Sequence, residues 1–314
     1  KAHGELQKIC TANIKNEIGK CTYTHMLNSD GGIETDLTIV CIDKDHFRII
    51  SSAATRERDK FHINKYLSKD IVLRDVTDNY CVFGLFGPKS RDLIQSISKD
   101  NFDNDSFKFG SAKNILVGGI KIWVQRLSYV GELGYELYVS FDDAKKIYEL
   151  LIEKGKDFNL SNCGMHALDI MRMESGFLHW GHDISPEENQ YQAGLTFTIS
   201  KKKDKNFIGK ESLDKIKKEK INSRFAMFTL KDSKPGEPLL LHDEPIYLDD
   251  KIIGRSTSGN YSFNFKKNLS FGYIDTDFSN EELKNKNLFI EVEKKKYSIS
   301  ILLKPLKQSN FKNI

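Results

Sequence analysis

Proline is scarce in this chain, with six among 314 residues, and tryptophan is scarcer still, with two. With 39% hydrophobic and 29% charged residues, most of the chain is expected to fold and little of it reads as linker. The longest apolar stretches, around residues 80–87 and 115–124, are short or broken by Gly and Lys, whereas a spanning helix needs about 20 apolar residues. No membrane partner is therefore expected. The five cysteines (Cys10, Cys21, Cys41, Cys81 and Cys163) are odd in number and contain no C-x-x-C pair. Reduced, mostly buried thiols are expected, in the cytoplasm or the mitochondrial matrix. Lys and Arg number 48 against 44 Asp and Glu, a net +4 spread along the whole length, which is too weak to predict nucleic-acid binding. No G-x-G-x-x-G, G-x-x-x-x-G-K-[ST] or G-x-S-x-G occurs, so nucleotide cradles and the nucleophile elbow are missing. The chain opens on Lys1 without an initiator Met or an apolar signal core, and it reads as trimmed, with something missing upstream.

What is present divides at about residue 205. Before it, strand-like and helix-like signals alternate. Residues 33–42 read as a strand with Ile33, Thr35, Leu37, Ile39 and Cys41 on one face and Glu34, Asp36, Thr38 and Val40 on the other. Residues 46–51 pair with it. Helices are expected at 2–9, 54–67, 88–97 and 165–175, and from an Asp142 or Asp143 cap to Gly155, with strands at 80–87, 120–127 and 135–140. Beyond it, short strand signals at 224–231, 244–248, 252–258, 269–275, 288–293 and 297–303 are spaced like an all-β barrel or sandwich. The lysine runs at 201–205 and 215–220 read as solvated surface. The fold class is α+β, with domains at 1–205 and 206–314.

Three features place charge at sheltered positions. Asp36 lies on the polar strand face after the turn Asn28-Ser-Asp-Gly-Gly32; it points into a cavity or at water, and the strand pattern alone favours water. Glu136 ends the glycine-punctuated turn Ser128-Tyr-Val-Gly-Glu-Leu-Gly-Tyr-Glu136. An ionised carboxylate accepts two parallel N–H bonds, so it can grip a flat ring edge or else be an exposed hairpin acid. Arg172 shares a helix side with Met165, Leu168 and Asp169, where it pairs with Asp169 or reaches a ligand. His179-Trp-Gly-His182-Asp183 looks like a metal cluster but lacks a third partner. No metal is expected there, and the histidines are expected to bond backbone.

Together these segments resemble the folate-dependent aminomethyltransferase family, which includes the glycine cleavage T-protein and the C-terminal halves of dimethylglycine and sarcosine dehydrogenases. The resemblance rests on five stretches in register: Gly31-Gly-Ile-Glu-Thr-Asp36-Leu, Phe86-Gly-Pro-Lys-Ser-Arg91, Ser128 to Glu136, Ala167-Leu-Asp-Ile-Met-Arg172-Met-Glu-Ser-Gly176 and Phe207-Ile-Gly-Lys-Glu-Ser-Leu213. It implies an aminomethyltransferase-like folate-binding domain closed by a C-terminal antiparallel β-barrel. It also implies that Asp36 is the catalytic carboxylate, that Glu136 grips the pterin, that Arg172 contacts folate and that Tyr23 and Tyr129 line the site. Phe177-Leu-His-Trp-Gly-His-Asp183-Ile, followed by Ala193-Gly-Leu, looks more like the dehydrogenase halves than the free T-protein.

The activity so implied is capture of a one-carbon unit by tetrahydrofolate to give 5,10-methylenetetrahydrofolate. The implied cofactor is tetrahydrofolate, with FAD only if an upstream domain exists. The partners implied are a small-molecule substrate and an upstream flavin domain or a lipoyl carrier protein. A free-standing T-protein, a non-catalytic folate-binding module and a sulfonium demethylase are the alternatives.

Overall fold

In the computed structural model, residues 1–202, 205–221, 223–308 and 310–313 are described. Helix α1 (Ala2–Ile9) buries Leu6 and Ile9 against a three-stranded antiparallel sheet of β1 (Cys21–Leu27), β2 (Ile33–Asp43) and β3 (His46–Ser51). The turn between β1 and β2 is held by Asn28 Oδ1, which accepts the N–H groups of Asp30 and Gly32 at 3.0 and 2.9 Å. Gly31 has φ +89°, and a Cβ on Gly32 would stand 1.8 Å from the Pro186 carbonyl oxygen, so this turn packs directly on a later loop. Strand β2 alternates as its sequence predicts until Val40, which is buried because a second sheet covers it.

Helix α2 (Arg56–Tyr66) follows a single 3-10 turn. The second sheet comprises β4 (Tyr80–Phe86), β5 (Ala112–Val117), β6 (Ile120–Gln125) and β7 (Gly134–Ser140) in the order β4-β7-β6-β5, with α3 (Ser90–Ser96) between β4 and β5. Pro88 was expected to open α3, but the helix starts two residues later. One sheet face sends Ile122, Val124, Tyr135, Leu137 and Val139 into a core with Ile147 and Leu151 of α4 (Phe141–Gly155). The N-cap of α4 is Ser140, not the expected Asp142 or Asp143. On the other face Trp123 and Tyr138 meet Cys21 and Val40 of the first sheet. This apolar seam joins the sheets and leaves the polar residues on the same faces beside it.

Helix α5 (Met165–Glu174) lays Ile170 and Met173 on Leu269 and Phe271 of the C-terminal barrel. After α6 (Lys210–Ile216), strands β8 (Ser223–Leu230), β9 (Pro245–Leu248), β10 (Lys251–Ser262), β11 (Lys267–Asp275), β12 (Leu288–Val292) and β13 (Lys295–Leu302) close in the order β10-β11-β8-β13-β12-β9, with α7 (Asn280–Leu283) between β11 and β12. Closure leaves no free edge, and Phe228, Ile246 and Ile290 fill the interior. The fold is thus α+β with a C-terminal antiparallel barrel, as expected. Within the lysine run, Lys203 and Asp204 lie outside the described residues, and Lys201 and Lys202 are exposed. Lys205 departs from the expectation: it is buried, donates to the Gln7 carbonyl at 2.8 Å, and burial pulls its ammonium down to about 8.

Two strands were not anticipated. In β1 the threonines that look solvent-facing turn inward, where Thr24 and Thr22 accept the backbone N–H groups of Ala12 and Lys15. In β5 the lysine and asparagine conceal the alternation, and the Gly118-Gly119 pair that seemed to break the stretch is a two-residue hairpin turn with both φ positive. Cys10, Cys21 and Cys41 are buried as expected, whereas Cys163 is exposed.

Candidate active site

The pairing of β1 with β2 sets His25 opposite Asp36 and Tyr23 opposite Thr38, so these side chains share the face turned toward the second sheet. The Asp36 side chain is 19% exposed, and its Oδ1 lies 3.5 Å from His25 Nε2. That oxygen is buried and has no hydrogen-bond partner among the described residues. The Tyr23 hydroxyl is 3.3 Å from the same nitrogen, while the Tyr23 ring is 40% exposed and stacks with Phe197 at 6.2 Å. Burial raises the Tyr23 phenol well above its ordinary range, and the Asp36 charge adds to this. A groove of about 570 Å³ opens from here, lined by Cys21, Tyr23, Phe197 and Ile199, with Lys15 and Lys202 on it.

Tyr129 lies in the loop between β6 and β7, donates to the Leu178 carbonyl at 2.9 Å and stacks on Phe177. Burial raises its phenol too; Arg172 opposes this, and the charges of Asp183, Asp36 and Asp169 reinforce it. Tyr23 and Tyr129 thus both feel the Asp36 charge, and Tyr129 also feels Arg172, so these four groups lie near one another. Glu136 stands apart on β7, opposite Gln125 of β6, half-buried, with the Tyr138 hydroxyl donating to its Oε2 at 2.9 Å. Burial lifts the Glu136 carboxyl above its usual range, and the Tyr138 bond opposes this only in part. Around it, Gln125 Nε2 and Oε1, Trp123 Nε1 and Arg48 Nη1 are buried without partners among the described residues. Buried polar groups are normally satisfied, so a cluster of unmet donors and acceptors beside a buried carboxylate fits a flat polar ligand.

Arg172 is 1% exposed, and five protein contacts match its five N–H groups. Asp169 takes two at 2.9 Å, Phe177 O and Ser258 Oγ accept at 3.1 and 2.8 Å, and Asp183 closes the set. Burial works against the guanidinium, but Asp183, Tyr129 and Asp169 together hold its pKa above the ordinary value. Asp183, read in the sequence only as part of a metal-like stretch, is 1% exposed and also accepts from Thr257, Ser258 and the backbone N–H of His179. It ties α5, the 177–184 loop and β10 together. The His179 and His182 rings pack on each other at 4.6 Å, where backbone bonding of the rings was expected. Among the described residues no group of three or more His, Cys, Asp or Glu is placed to hold a metal. His25, Gln125 and Gln190 were also missed; recognition of β1 as a strand would have placed His25 on the face of Asp36.

The GCVT N-terminal domain profile matches residues 1–203, and the glycine cleavage T-protein C-terminal barrel domain profile matches residues 224–307. An aminomethyltransferase of Halothermothrix orenii is 34% identical over 87% of this chain and 74% of its own. The 4-methylaminobutanoate oxidase (formaldehyde-forming) of Paenarthrobacter nicotinovorans is 35% identical over 86% of the chain, and the mitochondrial dimethylglycine dehydrogenase of Rattus norvegicus 30% over 96%. The chain spans only 33% and 35% of those two proteins. The glycine cleavage aminomethyltransferase T of Bartonella henselae superposes with a TM-score of 0.82 at 20% identity, over 98% of this chain and 81% of its own, and so shares the fold. Fold and site define a two-part protein whose paired N-terminal sheets carry Asp36 and Glu136 and whose C-terminal part is a closed barrel. The chain belongs to the glycine cleavage T-protein (aminomethyltransferase) family.

Proposed function

We propose that the chain is a tetrahydrofolate-dependent one-carbon transferase that yields 5,10-methylenetetrahydrofolate, as the folate-binding part of a dimethylglycine or sarcosine dehydrogenase-like protein. Bound folate supplies two amine nitrogens that together accept a one-carbon unit at the formaldehyde level. Asp36 carries the reading, because its inward Oδ1 has no hydrogen-bond partner among the described residues and can take a proton from an amine beside it. General-base assistance of this kind is worth about a hundred to ten thousandfold. Glu136 receives the paired N–H groups of the pterin edge while Tyr23 and Tyr129 flank the ring system, and confinement in the site adds a proximity gain. In this reading Arg172 meets the folate on its Asp169 side, since the Asp169 side chain is 33% exposed and holds two of the five N–H groups.

The upstream flavin domain, with its FAD, and the compartment, cytoplasm or mitochondrial matrix, belong to the same proposal; the Phe177 to Ile184 stretch and the identities to the oxidase and dehydrogenase support it. The division at residues 1–205 and 206–314 is proposed with it. The 74% coverage of an aminomethyltransferase favours a second reading, a free-standing T-protein that meets a lipoyl carrier. The test is formation of methylenetetrahydrofolate from tetrahydrofolate and formaldehyde, corrected for the uncatalysed condensation. A rate no greater than that background, in protein that binds folate, leaves a non-catalytic folate-binding module.

A further inference from the structure

His25 is fully buried beneath the proposed reactive carboxylate, and its two ring nitrogens have unlike surroundings. Nδ1 lies 3.0 Å from Thr198 Oγ1 and 3.4 Å from the Gln190 amide. Thr198 gives its single hydroxyl proton to the Leu195 carbonyl at 2.7 Å, so it presents only lone pairs to the ring. Nδ1 is therefore the protonated nitrogen. Gln190 fits the same assignment: turned by half a rotation, its amide directs to Nδ1 the Oε1 that otherwise has no partner among the described residues. In the neutral ring Nε2 then carries the lone pair, 3.5 Å from Asp36 Oδ1, with the Tyr23 hydroxyl, which also bonds to Asp36, 3.3 Å away. A lone pair facing a carboxylate oxygen explains why Asp36 Oδ1 is buried without a donor. The Asp36–His25 pair is one proton short.

We propose that His25 is the positioning residue that holds the reaction's proton for Asp36, a role that rests on the proposed function of Asp36. Asp36 takes the proton from the bound amine and passes it to His25 Nε2. The O–H bond of the carboxylic acid breaks with its electron pair kept by oxygen, and an N–H bond forms on the Nε2 lone pair. A carboxylate beside an imidazolium replaces a neutral acid beside a neutral ring, and nothing is oxidised or reduced. The groups that face His25 are Tyr23 from β1, Asp36 from β2, and the uncharged Gln190 and Thr198 from the covering loop; Asp59 of α2 adds charge near Asp36.

His25→Gln keeps an amide near the Nε2 position but cannot hold a proton. By calorimetry it should bind tetrahydrofolate within about threefold of the parent, while kcat for methylenetetrahydrofolate formation falls at least about tenfold. The acceptor must be neutral at the outset, so protonating it in advance closes the relay: the parent's kcat should rise as pH is raised from acid, and His25→Gln should lose that rise. Parental kcat in His25→Gln, or a lowered kcat with the pH rise intact, overturns the role of His25 while inactive Asp36→Asn leaves the role of Asp36 standing. Fully active Asp36→Asn overturns both. If His25→Gln does not fold, ring-carbon NMR of the histidine-labelled protein decides without turnover. A His25 titration midpoint that falls in Asp36→Asn supports the pair, and an unchanged midpoint overturns it.

Discussion

The protein holds two site carboxylates under different terms. Asp36 has one oxygen unmet among the described residues, whereas Glu136 is bonded to Tyr138 and removed from solvent, which disfavours its charge. A carboxyl whose folded pKa lies above its unfolded value adds stability below the unfolded value and loses it as pH rises through the folded one. Glu136→Gln removes that loss. Its melting temperature should therefore exceed the parent's at pH 7 and approach it near pH 4, as measured by thermal unfolding across that range, even as folate affinity falls. An equal difference at both pH values contradicts the burial argument. Asp36→Asn should behave in the opposite way, with folate affinity by calorimetry near the parent's and turnover at least about tenfold lower, or about 1.4 kcal/mol in barrier height. Parental turnover would make the Asp36 carboxylate structural.

At the scale of elements, the Asp183 clamp fastens α5 to β10. A buried ion pair that loses one partner leaves an uncompensated charge, which costs about 3 to 5 kcal/mol. Asp183→Ala should lose about that much in denaturant unfolding, because Arg172 keeps only the partly exposed Asp169 as its counter-charge and Thr257 and Ser258 lose their acceptor. A loss below about 1 kcal/mol means that water replaces the carboxylate and the clamp is not what joins the halves. Elements whose buried side chains are apolar were legible in the sequence: β2, β3, α5 and most barrel strands fall near their expected spans. Elements whose inward residues are polar were not. The buried threonines of β1 satisfy backbone groups of the preceding loop, and β10 runs past its expected end with Ser258 meeting Asp183 and Arg172 and Ser262 meeting Glu174. The same blindness hid His25, which is placed by a strand that the pattern did not reveal. Asp36, Glu136 and the flanking tyrosines were found only through resemblance, since spacing alone left each open between ligand and solvent.

On the scale of the whole molecule, the chain does not end where the barrel closes. Beyond β13, Lys307 donates its backbone N–H to Glu174 O at 2.8 Å and pairs with Glu132, and Phe311 packs edge-on against Phe109 and Phe177. The tail thus straps the barrel to the loop carrying Tyr129 and the turn after α5. Removing residues 304–314 should loosen that loop, weaken folate binding and leave the barrel core intact. Limited proteolysis would show faster cleavage near residues 128–132 in the truncated chain; an unchanged pattern means the strap is dispensable. The central claim is that the site around Asp36 and Glu136 takes tetrahydrofolate, with Glu136 as its grip. Isothermal calorimetry with tetrahydrofolate, paired with thermal unfolding, tests this most directly. The account predicts saturable one-site binding, added stability of about 2.7 kcal/mol at a hundredfold excess over Kd, and a loss of about 1 to 3 kcal/mol of binding in folded Glu136→Ala. No binding heat and no shift in unfolding for the folded parent, or undiminished binding in Glu136→Ala, would contradict it.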